Sequence, residues 1–314
     1  MNITDRVAVC SRSFSQNDVL RRELLARYEN VTFNDAGAKL AGDSLVAFLR
    51  GHKKAITALE VIDESILARL PELQVISKYG VGLDMIDVEA VRAHGKRLGW
   101  TGGVNRRSVA ELVICFAIAL LRGVPATHRE VLAGIWRQHV GGQLTGRTVG
   151  IIGCGHIGKE VIRLLQPFDC SILVNDIRGY PDFYEAYRVK ATDIETLLCE
   201  ADLVTLHIPL DQSTRGILSA QRLSLMKRSA VLINTARGGL IDEDALKQLL
   251  KEGKIAAAGF DVFDTEPPTD MELLSLPNFL ATPHIGGSAE EAVLAMGRAA
   301  IDQLDDPGFG ERPG

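Results

Sequence analysis

Cysteine is scarce and lacks any pairing pattern. The five residues Cys10, Cys115, Cys154, Cys170 and Cys199 in this chain of 314 are odd in number and form no CxxC motif. Neither a disulfide framework nor a zinc site is suggested. Long apolar runs are missing too. The longest, Leu112 to Leu121, lies between Glu111 and Arg122 and falls short of the roughly 20 residues that a bilayer span requires, so it is expected to be a buried helix. No basic block stands out: the net charge is -5 and the pI near 5.9, and acids and bases are interspersed. Neither nucleic acid nor an anionic membrane is an expected partner. The N-terminus runs from Met1 into the polar, strand-like stretch Arg6 to Cys10, without the charged start and apolar core of a signal peptide. A reduced, cytoplasmic setting is expected.

With 46% hydrophobic and 24% charged residues, the chain can bury a large core and is long enough for two domains. Strand-like runs at Val7 to Cys10, Val31 to Phe33, Ala55 to Ala58, Leu73 to Ser77 and Arg97 to Trp100 alternate with helical patterns. This predicts a parallel sheet covered by helices. After Thr101-Gly102-Gly103, where a hinge is expected, come a long helix from Ser108 to Leu121 and an irregular arm with Trp136, Gly141 and Gly142. A second alternation then places strands at Thr148 to Ile152, Ser171 to Asn175, Leu203 to Ile208, Ala230 to Asn234, Ala256 to Asp261 and Phe279 to Thr282. Thr192 with Glu195 and Ser288 with Glu291 read as capping boxes, Asp242 as the cap of a helix from Asp244 to Lys251, and Gly253 as its end. The last helix reaches about Leu304, and the Pro/Gly-rich tail is expected to fray.

The segment from Thr148 to Gly158 carries GxGxxG directly after a strand and at the start of a helical pattern. Gly153 allows a tight turn, Gly155 the approach of a pyrophosphate, and Gly158 close packing of helix on strand. The helix N-terminus offers its N–H groups to the anion. Asp176, 18 residues beyond Gly158, ends the next strand, where an acidic side chain accepts from the adenosine ribose. The expected cofactor is NAD, since Asp176 repels a 2'-phosphate; Arg178 keeps NADP open.

Three segments define the remainder: Asn234-Thr-Ala-Arg-Gly-Gly239, Asp261-Val-Phe-Asp-Thr-Glu-Pro267 and Thr282-Pro-His-Ile-Gly-Gly-Ser288. They resemble the signature segments of the D-2-hydroxyacid dehydrogenase family, which includes phosphoglycerate, glycerate and D-lactate dehydrogenases. Lys78-Tyr-Gly-Val-Gly-Leu-Asp84 and Ser108-Val-Ala-Glu111 add to a resemblance that runs from about Val7 to Leu304. It implies an α/β chain with a Rossmann-type dinucleotide-binding domain over 102–286 and a smaller flavodoxin-like substrate domain over 1–101 plus 287–314. It also implies a homodimer formed through the helix and arm at about 106–142.

The chemistry of those residues fits hydride transfer. Hydride leaves C2 of a hydroxy acid only if the hydroxyl proton is removed, and histidine titrates in the right range. His284 is the candidate acid/base, Glu266 the carboxylate that orients it, and Arg237 the planar cation for the substrate carboxylate and the polarised carbonyl oxygen. Alone, each has a plainer explanation: a surface arginine, a solvated turn glutamate, a core-edge histidine. Together, three strand-end residues lie in the half of the chain with the nucleotide motif. The resemblance further implies cofactor contacts at His156, Ile157, His207, Ile208, Pro209, Thr235, Ala236, Asp261 and Gly286, with Arg237 and His284 also near the nicotinamide. Asp261 has an alternative as a turn former. His207 is expected to be structural, and His52, His94, His128 and His139 to be surface or packing residues. In the first domain the resemblance implies that the backbone of Gly80, Val81 and Gly82 meets the substrate carboxylate; Lys78 either adds positive charge there or is simply a solvated lysine.

Some departures narrow the substrate. Phosphoglycerate-specific members carry an arginine within the strand matching Ala55 to Leu59, which here reads Ala-Ile-Thr-Ala-Leu, so the phosphate anchor is missing. A C-terminal regulatory domain like that of some phosphoglycerate dehydrogenases, and with it feedback by serine, is not expected. Formate dehydrogenases carry glutamine at the position of Glu266. Phosphite dehydrogenase keeps all three groups and stays open as an alternative, as does a nucleotide-sensing protein resembling the corepressors of this family.

Overall fold

The computed structural model describes residues 3–306, so the expected frayed tail lies outside the described residues. The chain divides into two compact units, one formed by the residues up to Asn105 together with those from Gly287 on, the other by Arg106–Gly286. The first crossing between them falls four residues beyond the sequence-based boundary of 101/102.

The first unit holds a parallel sheet of β1 (Ile3–Val9), β2 (Tyr28–Phe33), β3 (Lys54–Thr57), β4 (Val75–Lys78) and β5 (Arg97–Gly99), in the order β2-β1-β3-β4-β5. This is the flavodoxin-like order. Alternation along each strand sends Ala8, Ala55 and Ile76 into one buried cluster and Val7, Val9 and Ile56 into another, as a sheet covered on both faces requires. The second cluster takes in Ala300 and Ile301 from the helix Glu290–Asp302 and Leu304 just beyond it, which explains why the C-terminal segment belongs to this unit. Asp305 fixes its end by accepting from Tyr28 Oη and from Lys54 Nζ at 2.6 Å.

The second unit holds β6 (Thr148–Ile152), β7 (Ser171–Asn175), β8 (Val189–Ala191), β9 (Leu203–Leu206), β10 (Val231–Asn234), β11 (Ala257–Phe260) and β12 (Phe279–Ala281). All are parallel, in the order β12-β11-β10-β9-β6-β7-β8. The order reverses between β6 and β9, the switch point at which Rossmann-type sheets open a crevice for a ligand. Leu232 enters one core cluster while Val231 and Ile233 enter the other. The helix Arg106–Leu121 covers the second of these faces through Val113, Phe116 and Leu120. The expected apolar run therefore lies on a packed helix, and no single described helix is long and apolar enough to cross a membrane.

Several local expectations change. Part of the arm is a second helix, Val124–Leu132, bent by 62° from the preceding one. Pro125 at its first turn starts the helix, because a missing N–H costs nothing there. Edge strand β8 was not expected. The cap before Ile194–Glu200 is Asp193, whose carboxylate accepts from Thr196 N at 2.7 Å, one residue after Thr192. The helix Glu290–Asp302 starts from Ala289 with no side-chain cap; Glu290 and Glu291 in its first turn favour that start through the helix dipole. Asp242 does cap its helix, and Gly253 at φ +62° ends it.

Candidate active site

Strand register brings the predicted residues to one edge. Ile152 pairs with Asn175 on one side and Leu206 on the other, Leu206 with Asn234, Asn234 with Phe260, and Phe260 with Ala281. Gly153, His207, Thr235, Asp261 and Thr282 are therefore the first residues past the C-terminal ends of adjacent strands.

At the switch point Gly153 turns with φ +100°. A Cβ on Gly158 would stand 2.1 Å from Gly153 O, whereas one on Gly155 would meet nothing within 4 Å. The first glycine serves the turn, the third serves helix packing, and the second borders open space. The helix His156–Leu165 begins at Gly155 without a side-chain cap, leaving its first N–H groups available to an anion. Asp176 sits beside this loop, accepting from Cys154 N with Oδ2 and from Arg178 N with Oδ1. Burial raises the Cys154 thiol to about 11, so it stays protonated within the loop. On the other side of the switch point, His207 Nε2 lies 3.1 Å from Thr205 Oγ1, while its Nδ1 is buried without a partner. Burial pushes its pKa down to about 3; the ring is neutral and not a base at physiological pH. Thr235 Oγ1 on the adjacent strand end is likewise buried and unpartnered. The open glycine, the uncapped helix and these two orphaned polar atoms suit a dinucleotide that runs across the strand ends.

Beyond β10, Asn234 closes a turn by donating to Arg237 O at 2.8 Å and accepting from Ala236 N at 3.1 Å. This presents Arg237, whose guanidinium donates to Ala236 O at 2.6 Å. Only glycine fits at 238, because a Cβ there would lie 2.0 Å from the backbone of Phe263. The loop that carries Arg237 is thereby pressed onto the loop that carries Glu266. Glu266 accepts from Phe263 N with Oε1 at 3.1 Å and faces His284 Nδ1 with Oε2 at 2.9 Å. The pair is solvent-accessible, with side-chain exposures of 39% and 52%. A cavity of about 540 Å³ beside it is walled by Phe263, Pro267, Pro268 and Leu274.

Asp261 is 1% exposed, and both its carboxylate oxygens accept from the His284 turn: Oδ1 from Thr282 Oγ1 and Ile285 N, Oδ2 from Gly286 N. Its carboxylate therefore holds this turn. Thr282 escaped sequence reasoning although it begins the Thr-Pro-His segment; its neighbour in space is Asp261, 21 residues earlier. In the first unit, Gly80 has φ +125° and Val81 O accepts from Trp100 Nε1 at 2.8 Å. Lys78 is 6% exposed, with its ammonium on Ala58 O, so it is not a solvated lysine. His52 packs against Thr32 and Leu49, His94 pairs with Glu64 and His139 with Glu130. No cluster of potential metal ligands occurs among the described residues.

This geometry, an open nucleotide loop at a switch point with an arginine, a glutamate and a histidine on three adjacent strand ends, is that of a Rossmann-type dinucleotide-binding unit. Residues 114–286 match the model of "D-isomer specific 2-hydroxyacid dehydrogenase, NAD binding domain". A D-3-phosphoglycerate dehydrogenase of Methanocaldococcus jannaschii is 39% identical over 246 residues, 77% of this chain and 47% of its own length. This chain thus spans about half of that relative. A hydroxypyruvate reductase of Thermotoga maritima is 39% identical over 237 residues, 74% of this chain and 76% of its own length. Among solved structures, a putative D-isomer specific 2-hydroxyacid dehydrogenase from Polaromonas sp. superposes with a TM-score of 0.87 at 28% identity, covering 98% of this chain and 99% of that one. The chain belongs to the D-isomer specific 2-hydroxyacid dehydrogenase family, and its second unit is the NAD-binding domain.

Proposed function

We propose that the chain interconverts a D-2-hydroxy acid and the corresponding 2-keto acid with NAD as its redox partner. The observation that carries this is the 2.9 Å contact between His284 Nδ1 and Glu266 Oε2, on the ends of the two strands that follow in the sheet the one presenting Arg237. The Gly153–Gly158 loop and Asp176 would hold NADH, which when bound would supply a hydride for C2 of the keto acid. His284 delivers the proton that the new alkoxide needs, from the ring nitrogen opposite Glu266, and takes it back in the oxidative direction. Glu266 holds the ring with Nδ1 protonated and turned toward it. Arg237 binds the substrate carboxylate and draws charge onto the carbonyl oxygen.

The missing phosphate-site arginine and the names of some relatives, such as the hydroxypyruvate reductase of Thermotoga maritima, favour a small unphosphorylated keto acid such as hydroxypyruvate or glyoxylate over the phosphorylated substrate that the name of the Methanocaldococcus jannaschii relative carries. NADH oxidation by the purified protein against a panel of 2-keto acids tests the reading. Turnover of at least one acid supports it; tight NADH binding with no oxidation by any acid overturns it in favour of a nucleotide sensor. We further assign the protein to the cytoplasm, and to a homodimer formed through the exposed apolar residues Leu132, Trp136 and Val140. Light scattering that gives a monomer at micromolar concentration defeats the dimer.

A further inference from the structure

The backbone of His284 stands in the left-handed region, with φ +56°, a conformation that a residue with a Cβ keeps only where its surroundings impose it. Those surroundings converge on one buried carboxylate. Thr282 Oγ1 and Ile285 N donate to Asp261 Oδ1 at 2.5 and 2.7 Å, and Gly286 N donates to Oδ2 at 2.7 Å. The backbone oxygen of the same aspartate accepts from His284 N at 2.9 Å. Beyond the turn, Gly286 O accepts from Ser108 Oγ at 2.6 Å, tying the outgoing chain to the helix Arg106–Leu121. Donors on both sides of His284, and its own N–H, are thus fixed to the end of β11, the strand that also leads into the Glu266 loop.

We infer that Asp261 and Thr282 are positioning residues: the buried carboxylate clamps the 282–286 turn and imposes the left-handed conformation that keeps His284 Nδ1 on Glu266. A freed turn relaxes toward ordinary backbone angles and swings the imidazole off the carboxylate. The geometric part stands by itself; the consequence for turnover rests on the proposed role of His284.

Ring ¹⁵N NMR of His284, assigned by its disappearance in His284→Ala, reads the clamp without any substrate. Above the ring's titration range the unaltered protein shows the tautomer protonated at Nδ1. Thr282→Val, which deletes the hydroxyl and keeps the shape, gives a mixture of tautomers, and Thr282→Ser restores the single one. In NADH oxidation, Thr282→Val lowers kcat by about tenfold or more and changes the NADH dissociation constant by less than about twofold. In a Glu266→Gln background it costs less than about twofold further, because it acts through that pair. An unchanged tautomer in folded Thr282→Val overturns the inference, and so does a loss confined to NADH affinity. A tautomer shift in a protein that turns over no keto acid sustains the clamp and defeats the functional reading instead. If Thr282→Val does not fold, Gly286→Ala must produce the shift, since its Cβ would stand 3.0 Å from Asp261 Oδ2.

Discussion

The two halves of the second unit's strand edge are built on opposite plans. On the side of β6 and β9, the structure leaves groups unmet: open space at Gly155, an uncapped helix start, and orphaned Nδ1 of His207. On the side of β11 and β12, Asp261 is filled by donors from the protein itself and Glu266 accepts from Phe263 and His284. A ligand that brings its own oxygens requires unsatisfied donors. A proton-transfer group requires a fixed geometry, which only internal bonds supply.

The largest test of that contrast is His284→Ala. It is expected to lower kcat by about three orders of magnitude, in the range that positioned acid–base groups contribute, with the NADH dissociation constant nearly unchanged in a fluorescence titration. Equal losses of binding and turnover would erase the division. Gly158→Ala strikes the other plan: its Cβ would press on Gly153 O, and overpacking of this kind costs about 1–3 kcal/mol. NADH affinity is expected to fall by at least about tenfold, measured by calorimetry beside a denaturant melt.

His207 sharpens the comparison through pH. Its folded pKa of about 3 lies below the ordinary 6.5, so the unfolded chain takes up a proton that the folded one refuses. Stability from this group is fully present above pH 6.5 and is lost as pH falls toward 3, at ~1.4 kcal/mol per pH unit. Urea melts over that window should show a shallower slope for His207→Gln. The smallest effect belongs to Asp193→Ala, a helix cap away from the strand ends: about 1 kcal/mol of stability with kcat unchanged. A fall in kcat there would show that the edge is not the only part that sets activity.

How much could be read beforehand follows from the range of each interaction. The strands of the second unit were legible apart from β8, because buried parallel strands read as continuous apolar runs; Val189-Lys190-Ala191, short and at the edge, does not. The helix Val124–Leu132 was hidden behind Gly123 and Pro125, which signal a break as readily as a start. Thr192 and Asp193 both suit a cap, and sequence offers no means of choosing between neighbours. Arg237, Glu266 and His284 stood out as candidates because each lies in a distinctive segment, whereas Thr282 was passed over because its partner is distant in sequence.

The sequence by itself determined most of the elements, the glycine loop with its following acid, the identity of the three candidate reacting groups, and the family. These are written in local spacing: a strand, three glycines and a helix start lie within eleven residues. Tertiary structure alone decided what Asp261 does and how His284 is held. Both depend on the register of β10, β11 and β12, which places a carboxylate from one strand end beneath a turn from the next. A hydrogen bond across that register is fixed by the packing of both sheet faces and by no pattern along the chain.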